Sequence, residues 1–245
     1  RLQHPTIVPV YGTGRGRDGR PFYAMKQVTG EPLDRRIAAC ATFAERLALL
    51  PNVTAVCDAI AYAHTERVIH RDLKPANILV GKFGETVVID WGLVKDLRAE
   101  EPEDVSPYRT AAADGTALGK VMGTPAYMPI EQARGEPVDE RADVYALGAI
   151  LYHLLAGIPP YARTGETGVP WESMLARVIV DVPAQLVSIV PEVPPDLLAI
   201  VARAMARSAA DRYPSAAELA EDLRRFQTGQ LVGAHRYTSL QLVRR

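Results

Sequence analysis

The stretch Asp72-Leu73-Lys74-Pro75-Ala76-Asn77, followed thirteen residues after Asn77 by Asp90, constrains this chain more than any other part of it. An acid, a lysine and an amide stand at successive offsets of two and three residues, with Pro75 stiffening the backbone between them. One acid can accept a hydroxyl proton, and the lysine can neutralise a phosphate. The amide and the second acid can hold a divalent metal through hard oxygens. That set suits phosphoryl transfer to an alcohol. Residues 78–80, 81–84 and 86–89 read as strand, turn and strand, which places Asn77 and Asp90 at opposite ends of one hairpin, within reach of a single metal.

The remaining chain divides into an extended beginning and a helical body. Residues 6–11 and 21–28 read as two short strands, with 12–20 and its four glycines as the turn. Residues 31–39 suit a short helix. Thr42 and Glu45 form a capping box before a long helix with Val53, Val56, Cys57, Ile60, Ala61 and His64 on one face. Pro51 must kink that helix or mark its true start. Residues 93–123 show no periodicity and are acidic in the middle, the pattern of a long mobile loop.

Residues 141–156 predict a strongly apolar helix stopped by Gly157 and Pro159. The uncharged run 144–162 contains His153, two glycines and two prolines, so it reads as a buried helix and a turn, without a membrane span. Further helices are expected over 171–180, from Pro194-Pro195 with Leu197, Leu198, Val201 and Met205 inward, and from the capping box Ser215–Glu218 to Gly229. The basic tail from Gln230 is poorly patterned and is expected outside the compact domain.

Composition excludes several classes. At 48% hydrophobic and 23% charged, the chain has the balance of a soluble globular protein. A net charge of −1 argues against an electrostatic nucleic-acid binder. Two cysteines, Cys40 and Cys57, cannot build a disulfide framework, and Cys57 reads as a small buried hydrophobe. A reduced, cytoplasmic setting is the expectation. The opening at Arg1 without a signal peptide suggests a piece of a longer product, and Arg244-Arg245 permits a membrane anchor beyond it.

His70-Arg71-Asp72-Leu73-Lys74-Pro75-Ala76-Asn77 resembles the catalytic loop of eukaryotic-type protein kinases. Asp90-Trp91-Gly92, Gly123-Thr124-Pro125-Ala126-Tyr127-Met128, Asp143 and Arg212 follow in the family's order, and the style is similar to bacterial serine/threonine kinases. The resemblance covers roughly residues 1–228. It implies an α+β, protein-kinase-like fold: two N-lobe strands and the hinge over 1–30, a mainly α-helical C-lobe over 31–228, and a tail or linker over 229–245.

Gly12-Thr13-Gly14-Arg15-Gly16, Lys26 and Glu45 imitate a glycine loop, a strand lysine and its helix partner. Only 26 residues separate Glu45 from Asp72, too few for the remaining N-lobe, the hinge and two helices. His4-Pro5-x-Ile7-Val8 instead resembles the segment just after helix C. The glycine loop and strand lysine are then expected upstream of Arg1, and the piece itself is expected to be weak or inactive.

The resemblance implies transfer of the ATP γ-phosphoryl group to protein Ser/Thr, with Asp72 as base and Lys74 neutralising the migrating group. It gives Mg²⁺, with Mn²⁺ as a substitute, to Asn77 and Asp90. It gives the nucleotide to Met25, Gln27, Val28, Lys74, Asn77, Leu79 and Asp90. Trp91 replaces the usual Phe, and Ile130 replaces the usual Pro before Glu131. His70, Trp91, Gly92, Glu131, Asp143 and Arg212 are implied to be structural, with Glu131 and Arg212 as an ion pair and Asp143 anchoring the catalytic-loop backbone. Thr124 helps select Ser/Thr acceptors. Arg71 pairs with a phosphate on Ser106, Thr110, Thr116 or, less typically, Tyr108. Partners are protein substrates and a second copy for autophosphorylation, with no nucleic acid and no membrane segment. The competing reading is a non-catalytic kinase-like scaffold.

Overall fold

The computed structural model describes residues 2–17, 21–91, 95–96, 123–166 and 168–237. Strands β1 (Val10–Arg15) and β2 (Pro21–Met25) pair antiparallel, from Val10 opposite Met25 to Arg15 opposite Pro21. The turn expected over 12–20 is therefore shorter, because Gly12 and Gly14 sit inside the ladder opposite Ala24 and Phe22. Glycine suits position 14: a β-carbon there would come within 2.8 Å of the Phe22 ring. The second strand also ends earlier than expected, and residues 26–30 run on without regular structure.

Strand β3 (Glu31–Pro32) takes the first two residues of the helix expected over 31–39, and α1 spans only Leu33–Ala39. Helix α2 (Phe43–Leu47) starts with both reciprocal bonds of the Thr42–Glu45 capping box. That use of the Glu45 carboxylate leaves it unsuited to pairing with Lys26. Helix α3 (Leu50–Thr65) carries Pro51 in its first turn, so the proline marks a true start, where a missing N–H leaves nothing unpaired.

Strand β4 (Val68–Ile69), a 3₁₀ turn at Pro75–Asn77, then β5 (Ile78–Val80) and β6 (Thr86–Val88) follow. Ile78, Leu79 and Val80 face Val88, Val87 and Thr86. Period-two alternation buries Ile78, Val80 and Val88 and leaves Leu79 and Val87 half-buried on the other face. Strand β3 joins this sheet beside β5, and Ile7 bridges in parallel to Val88, so the chain's beginning enters the same core. Strand β7 (Lys95–Asp96) pairs antiparallel with β4, inside a stretch expected to be irregular. The other residues of that expected loop up to 122 lie outside the described residues. Ser106, Tyr108, Thr110 and Thr116 are among them, and Gly92, just before the loop, also lies outside the described residues.

After a 3₁₀ turn at Pro125–Tyr127 come α4 (Ile130–Ala133), α5 (Arg141–Ala156), α6 (Trp171–Val180), α7 (Leu186–Ile189), α8 (Pro195–Ala204) and α9 (Ala216–Gln227). Helix α5 is buried at every position from Ala142 to Ala156, as a helix apolar on all sides must be. Leu147, Ile150, Leu151 and Leu154 are fully covered, each contributing about 1.5–3 kcal/mol of burial. Gly148 permits the close approach of α8, since a β-carbon there would meet Ala204 Cβ at 2.7 Å. Helix α9 is capped at Ser215 by one bond from Glu218 N–H, which is half of the expected box. The apolar run Phe43–Thr65 has the length and hydropathy of a membrane span, yet 56% of its window is buried within the protein.

The tail corrects the sequence reading. Val232 is buried in the main core. The N–H groups of Gly233 and Ala234 donate to Asp222 at 2.7 and 2.9 Å, and the Tyr237 hydroxyl donates to Asp196 at 3.0 Å. Two buried carboxylates, one on α8 and one on α9, need donors, and residues 233–237 supply them.

Candidate active site

The first turn of helix α5 bonds directly to the loop that carries the candidate site. Its Asp143 is almost fully buried and accepts the N–H of His70 through Oδ2 at 2.8 Å and of Arg71 through Oδ1 at 3.0 Å. His64, at the end of α3, donates from Nε2 to the same Oδ2 at 2.9 Å. Burial alone would raise the Asp143 pKa. The hydrogen bond and charge of His64, with the His70 contacts, outweigh it and hold the group below the ordinary carboxylate value. Arg71 sits at φ +67, a conformation that costs a non-glycine residue on the order of 1–3 kcal/mol. The strain is held from both sides, by Asp143 on its N–H and by Gln132 Nε2, which donates to its carbonyl at 2.7 Å.

His70 is completely buried, and burial lowers its pKa against the pull of Asp143 and Asp72. The neutral ring accepts the Asp72 N–H on Nδ1 at 3.3 Å, which leaves the Nε2 proton to donate to the Ile89 carbonyl at 3.4 Å. Trp91 packs against it with ring centroids 4.7 Å apart and donates from Nε1 to the Val88 carbonyl at 3.3 Å. His70 therefore joins the loop to the end of β6.

Asp72, Lys74 and Thr124 close a ring of charge-assisted bonds. The Lys74 ammonium donates to Asp72 Oδ2 at 2.7 Å and to Thr124 Oγ1 at 2.8 Å. The backbone N–H and the hydroxyl of Thr124 both donate to Asp72 Oδ1, at 2.9 and 3.0 Å. Both carboxylate oxygens are thus oriented, and residues fifty apart in sequence share one point. Asn77 donates from Nδ2 to the Asp72 carbonyl at 3.0 Å, which leaves its Oδ1 as the atom suited to a cation.

The hairpin β5–β6 sets the second acid. Ile89 N–H donates to the Asn77 carbonyl at 2.9 Å, so Asn77 and Asp90 flank the same open mouth of the hairpin. Asp90 is exposed, with φ +60, a conformation that Asp tolerates better than most residues. Two hard oxygen donors at one mouth fit a cation that keeps several waters and is shared with phosphate oxygens. No cluster of three or more His, Cys, Asp or Glu side chains suited to a metal occurs among the described residues.

Of the residues expected to face a nucleotide, several are exposed. Gly30 closes against Leu79 and Val80, which brings the end of the 26–30 segment over half-buried Leu79. Gln27 and Met25 are exposed, Met25 by 44%, and Val28 is half-buried. Further off, the Arg212 guanidinium forks onto Glu131 at 2.6 and 2.9 Å. It also donates to the carbonyls of Ala206, Arg141 and Arg207, so this buried charge is fully paired.

Two participants escaped the sequence reading. His64 was visible only as one residue of a helix face, though a histidine on an apolar face asks for a buried partner. Gln132 carried no signal, because its role exists only once Arg71 adopts its unusual φ.

The family model described as the protein kinase domain matches residues 1–223. The serine/threonine-protein kinase PknD of Protochlamydia amoebophila is 39% identical over 66% of this chain and 18% of its own length. PknB of Mycolicibacterium smegmatis is 35% identical over 94% of this chain and 34% of its own length. The chain thus spans about a third or less of these curated relatives. The crystal structure of the Mycobacterium tuberculosis PknI kinase domain superposes with a TM-score of 0.63 at 28% identity, covering 92% of this chain and 73% of that one.

Proposed function

This chain belongs to the protein kinase domain family, whose members use ATP and a divalent metal, and we propose that its protein transfers the γ-phosphoryl group of ATP to Ser or Thr hydroxyls of proteins. The observation that carries the proposal is the Asp72–Lys74–Thr124 ring beside the Asn77–Asp90 mouth. Relatives named serine/threonine-protein kinases over most of the chain support it.

In this reading the acceptor hydroxyl approaches the Asp72 carboxylate, which orients it and takes its proton late, because the transition state for phosphoryl transfer is loose. Lys74 places positive charge beside the migrating group while holding Asp72 in position. Thr124 keeps the carboxylate turned toward the acceptor. Asn77 Oδ1 and the Asp90 carboxylate would hold Mg²⁺, which supplies charge neutralisation for the phosphates when bound. Met25, Gln27, Val28 and Leu79 would line the adenine side. Arg71, its backbone already fixed, would meet a phosphate on a residue of the 97–122 segment and so couple phosphorylation to the loop.

Incubating the full-length protein with labelled ATP and Mg²⁺ tests this. Wild type should label itself or a generic protein acceptor on Ser/Thr. Asp72→Asn should lower incorporation by about 10²–10⁴-fold, the usual worth of a positioned base. Unchanged labelling in that variant removes Asp72 from the role. No incorporation by wild type supports the non-catalytic scaffold.

A further inference from the structure

The chain does not leave the domain where α9 ends. Gly229 turns it at φ +72, a conformation suited to glycine. The N–H groups of Gly229 and Gln230 close the helix end onto the carbonyls of Phe226 and Arg225, at 3.1 and 2.7 Å. Residues 230–237 then fold back over α8 and α9. Val232 enters the core, 2% exposed. Asp222 on α9 accepts the Gly233 N–H on Oδ1 at 2.7 Å and the Ala234 N–H on Oδ2 at 2.9 Å. Asp196 on α8 accepts the Tyr237 hydroxyl on Oδ1 at 3.0 Å, and His235 Nδ1 stands 3.1 Å from the same oxygen. The Tyr237 hydroxyl in turn accepts the Val232 N–H at 2.8 Å, so the segment is closed on itself as well as docked.

Two features mark this segment as one that can lift as a unit. The first is its balance. Val232 is its one fully buried side chain, and ordering each of the eight residues costs backbone entropy. The second is that its main anchor has other donors at hand. Asp222 Oδ2 also accepts the Tyr213 hydroxyl at 2.8 Å, a bond that does not involve the segment. Arg225, three residues along α9, holds Nη1 4.0 Å from Asp222 Oδ1 while its Nε pairs with Glu221 at 3.1 Å. That distance is too long for a hydrogen bond in the docked state. The guanidinium is 41% exposed and free to close on Oδ1 once the Gly233 N–H departs, so the carboxylate keeps a donor in either arrangement.

We propose that residues 230–237 are a releasable strap, hinged at Gly229, in which Asp222 exchanges the N–H groups of Gly233 and Ala234 for the Arg225 guanidinium. Docked, the strap ties α8 to α9, and the chain after Tyr237 departs beside the first turn of α8, where Asp196 stands. Lifted, the same chain departs from the end of α9, and the eight freed residues add up to about 26–29 Å of reach. The strap therefore sets the length of the tether to the chain that follows residue 237.

Hydrogen exchange of the full-length protein, read at single amides, tests this without reference to phosphoryl transfer. In wild type the Gly233 and Ala234 amides should be protected, yet exchange at least about 10-fold faster than the Leu223 amide inside α9. Val232→Asp acts from the strap side alone and should bring both amides close to the unprotected rate with Leu223 unchanged. Tyr237→Phe keeps the ring, loses the hydroxyl and should accelerate them by about threefold or more. Arg225→Met removes the competing cation and should slow them by about threefold, the worth of an exposed ion pair. Unprotected Gly233 and Ala234 amides in wild type would mean that the segment is not docked. Leu223 exchanging in step with them would mean that α9 and the segment open together, with no separate release. Unchanged or faster exchange in Arg225→Met would remove the exchange of partners. Any one of these three results overturns the proposal.

Discussion

The loop 70–77 and the hairpin 10–25 stand on opposite kinds of support. The opening residues of the loop are tied to buried groups: Asp143 holds the N–H groups of His70 and Arg71, Gln132 holds the Arg71 carbonyl, and the His70 ring bonds forward to Ile89. The hairpin has its own ladder but presents large apolar side chains to solvent, with Tyr11 71% and Phe22 53% exposed. The difference teaches where precision is needed. Under the proposed function, Asp72 handles a proton and must be placed closely, since a displacement of about 1 Å at a reacting centre can cost on the order of 10²-fold, and no such demand falls on the hairpin. The fold supports the loop with α5, buried at every position from Ala142 to Ala156.

The largest effect expected from this contrast comes from Asp143→Ala. It removes the acceptor for His70 and Arg71 N–H and leaves His64 without its partner in a buried site. Breaking such a buried arrangement costs about 3–5 kcal/mol. Phosphoryl transfer should fall by at least about 10²-fold even at temperatures where the variant stays folded. Denaturant unfolding and kinetics on one preparation read both numbers. A variant that loses stability and keeps its rate would show that the loop is positioned by something other than α5.

Acid should weaken the helical side selectively. His153 has a folded pKa of about 4, below the ordinary imidazole value near 6.5. At pH 7 both folded and unfolded states carry it neutral, so it contributes no pH dependence. As pH falls through about 6.5 the unfolded chain takes up a proton that the folded protein refuses, and stability drops until about pH 4. The loss amounts to roughly 3 kcal/mol, and His70, also lowered by burial, acts in the same direction. Asp143 is held below its usual range, so its contribution persists through this window and is lost only in stronger acid. Urea midpoints at pH 7.5 and pH 5 should differ clearly in wild type and much less in His153→Gln. Equal slopes would mean that the imidazole is not buried neutral.

The sequence carried the helical side well because its signals are local or periodic. Thr42 with Glu45, Pro51, Pro195 and Gly157 are punctuation that acts within one turn, and each stands at the helix boundary it marks. The spacing of Asp72, Lys74 and Asn77 was legible because one short loop holds all three. What the sequence hid were contacts made across long separations. His64 meets Asp143 79 residues on, and Tyr127 finds His153 on a helix that reads as uniformly apolar. Strand β7 and the docked tail were missed for a related reason. Two-residue pairing has no period to detect, and the described part of the tail is held by single contacts, the Gly233 and Ala234 N–H groups on Asp222 and the Tyr237 hydroxyl on Asp196.

The smallest effect sharpens the comparison from the other side. Met25 closes β2 with 44% of its surface exposed, and the family resemblance gives it to the nucleotide. If the hairpin is as open as it stands, truncating it removes little packing, and Met25→Ala should leave the unfolding free energy within about 0.5 kcal/mol of wild type. Under the proposed function the same variant should still register with the nucleotide, shifting the KM for ATP by a few-fold while the acceptor KM stays fixed. That is the mirror image of the pattern expected for Asp72→Asn, which should lower turnover and leave the KM for ATP unchanged. The two variants together test whether the site divides into a rigid acceptor half and a compliant nucleotide half. A stability loss above about 1 kcal/mol in Met25→Ala would mean that this side chain is packed in solution. The contrast between the two regions would then be one of local sequence, with no difference in how firmly each is held.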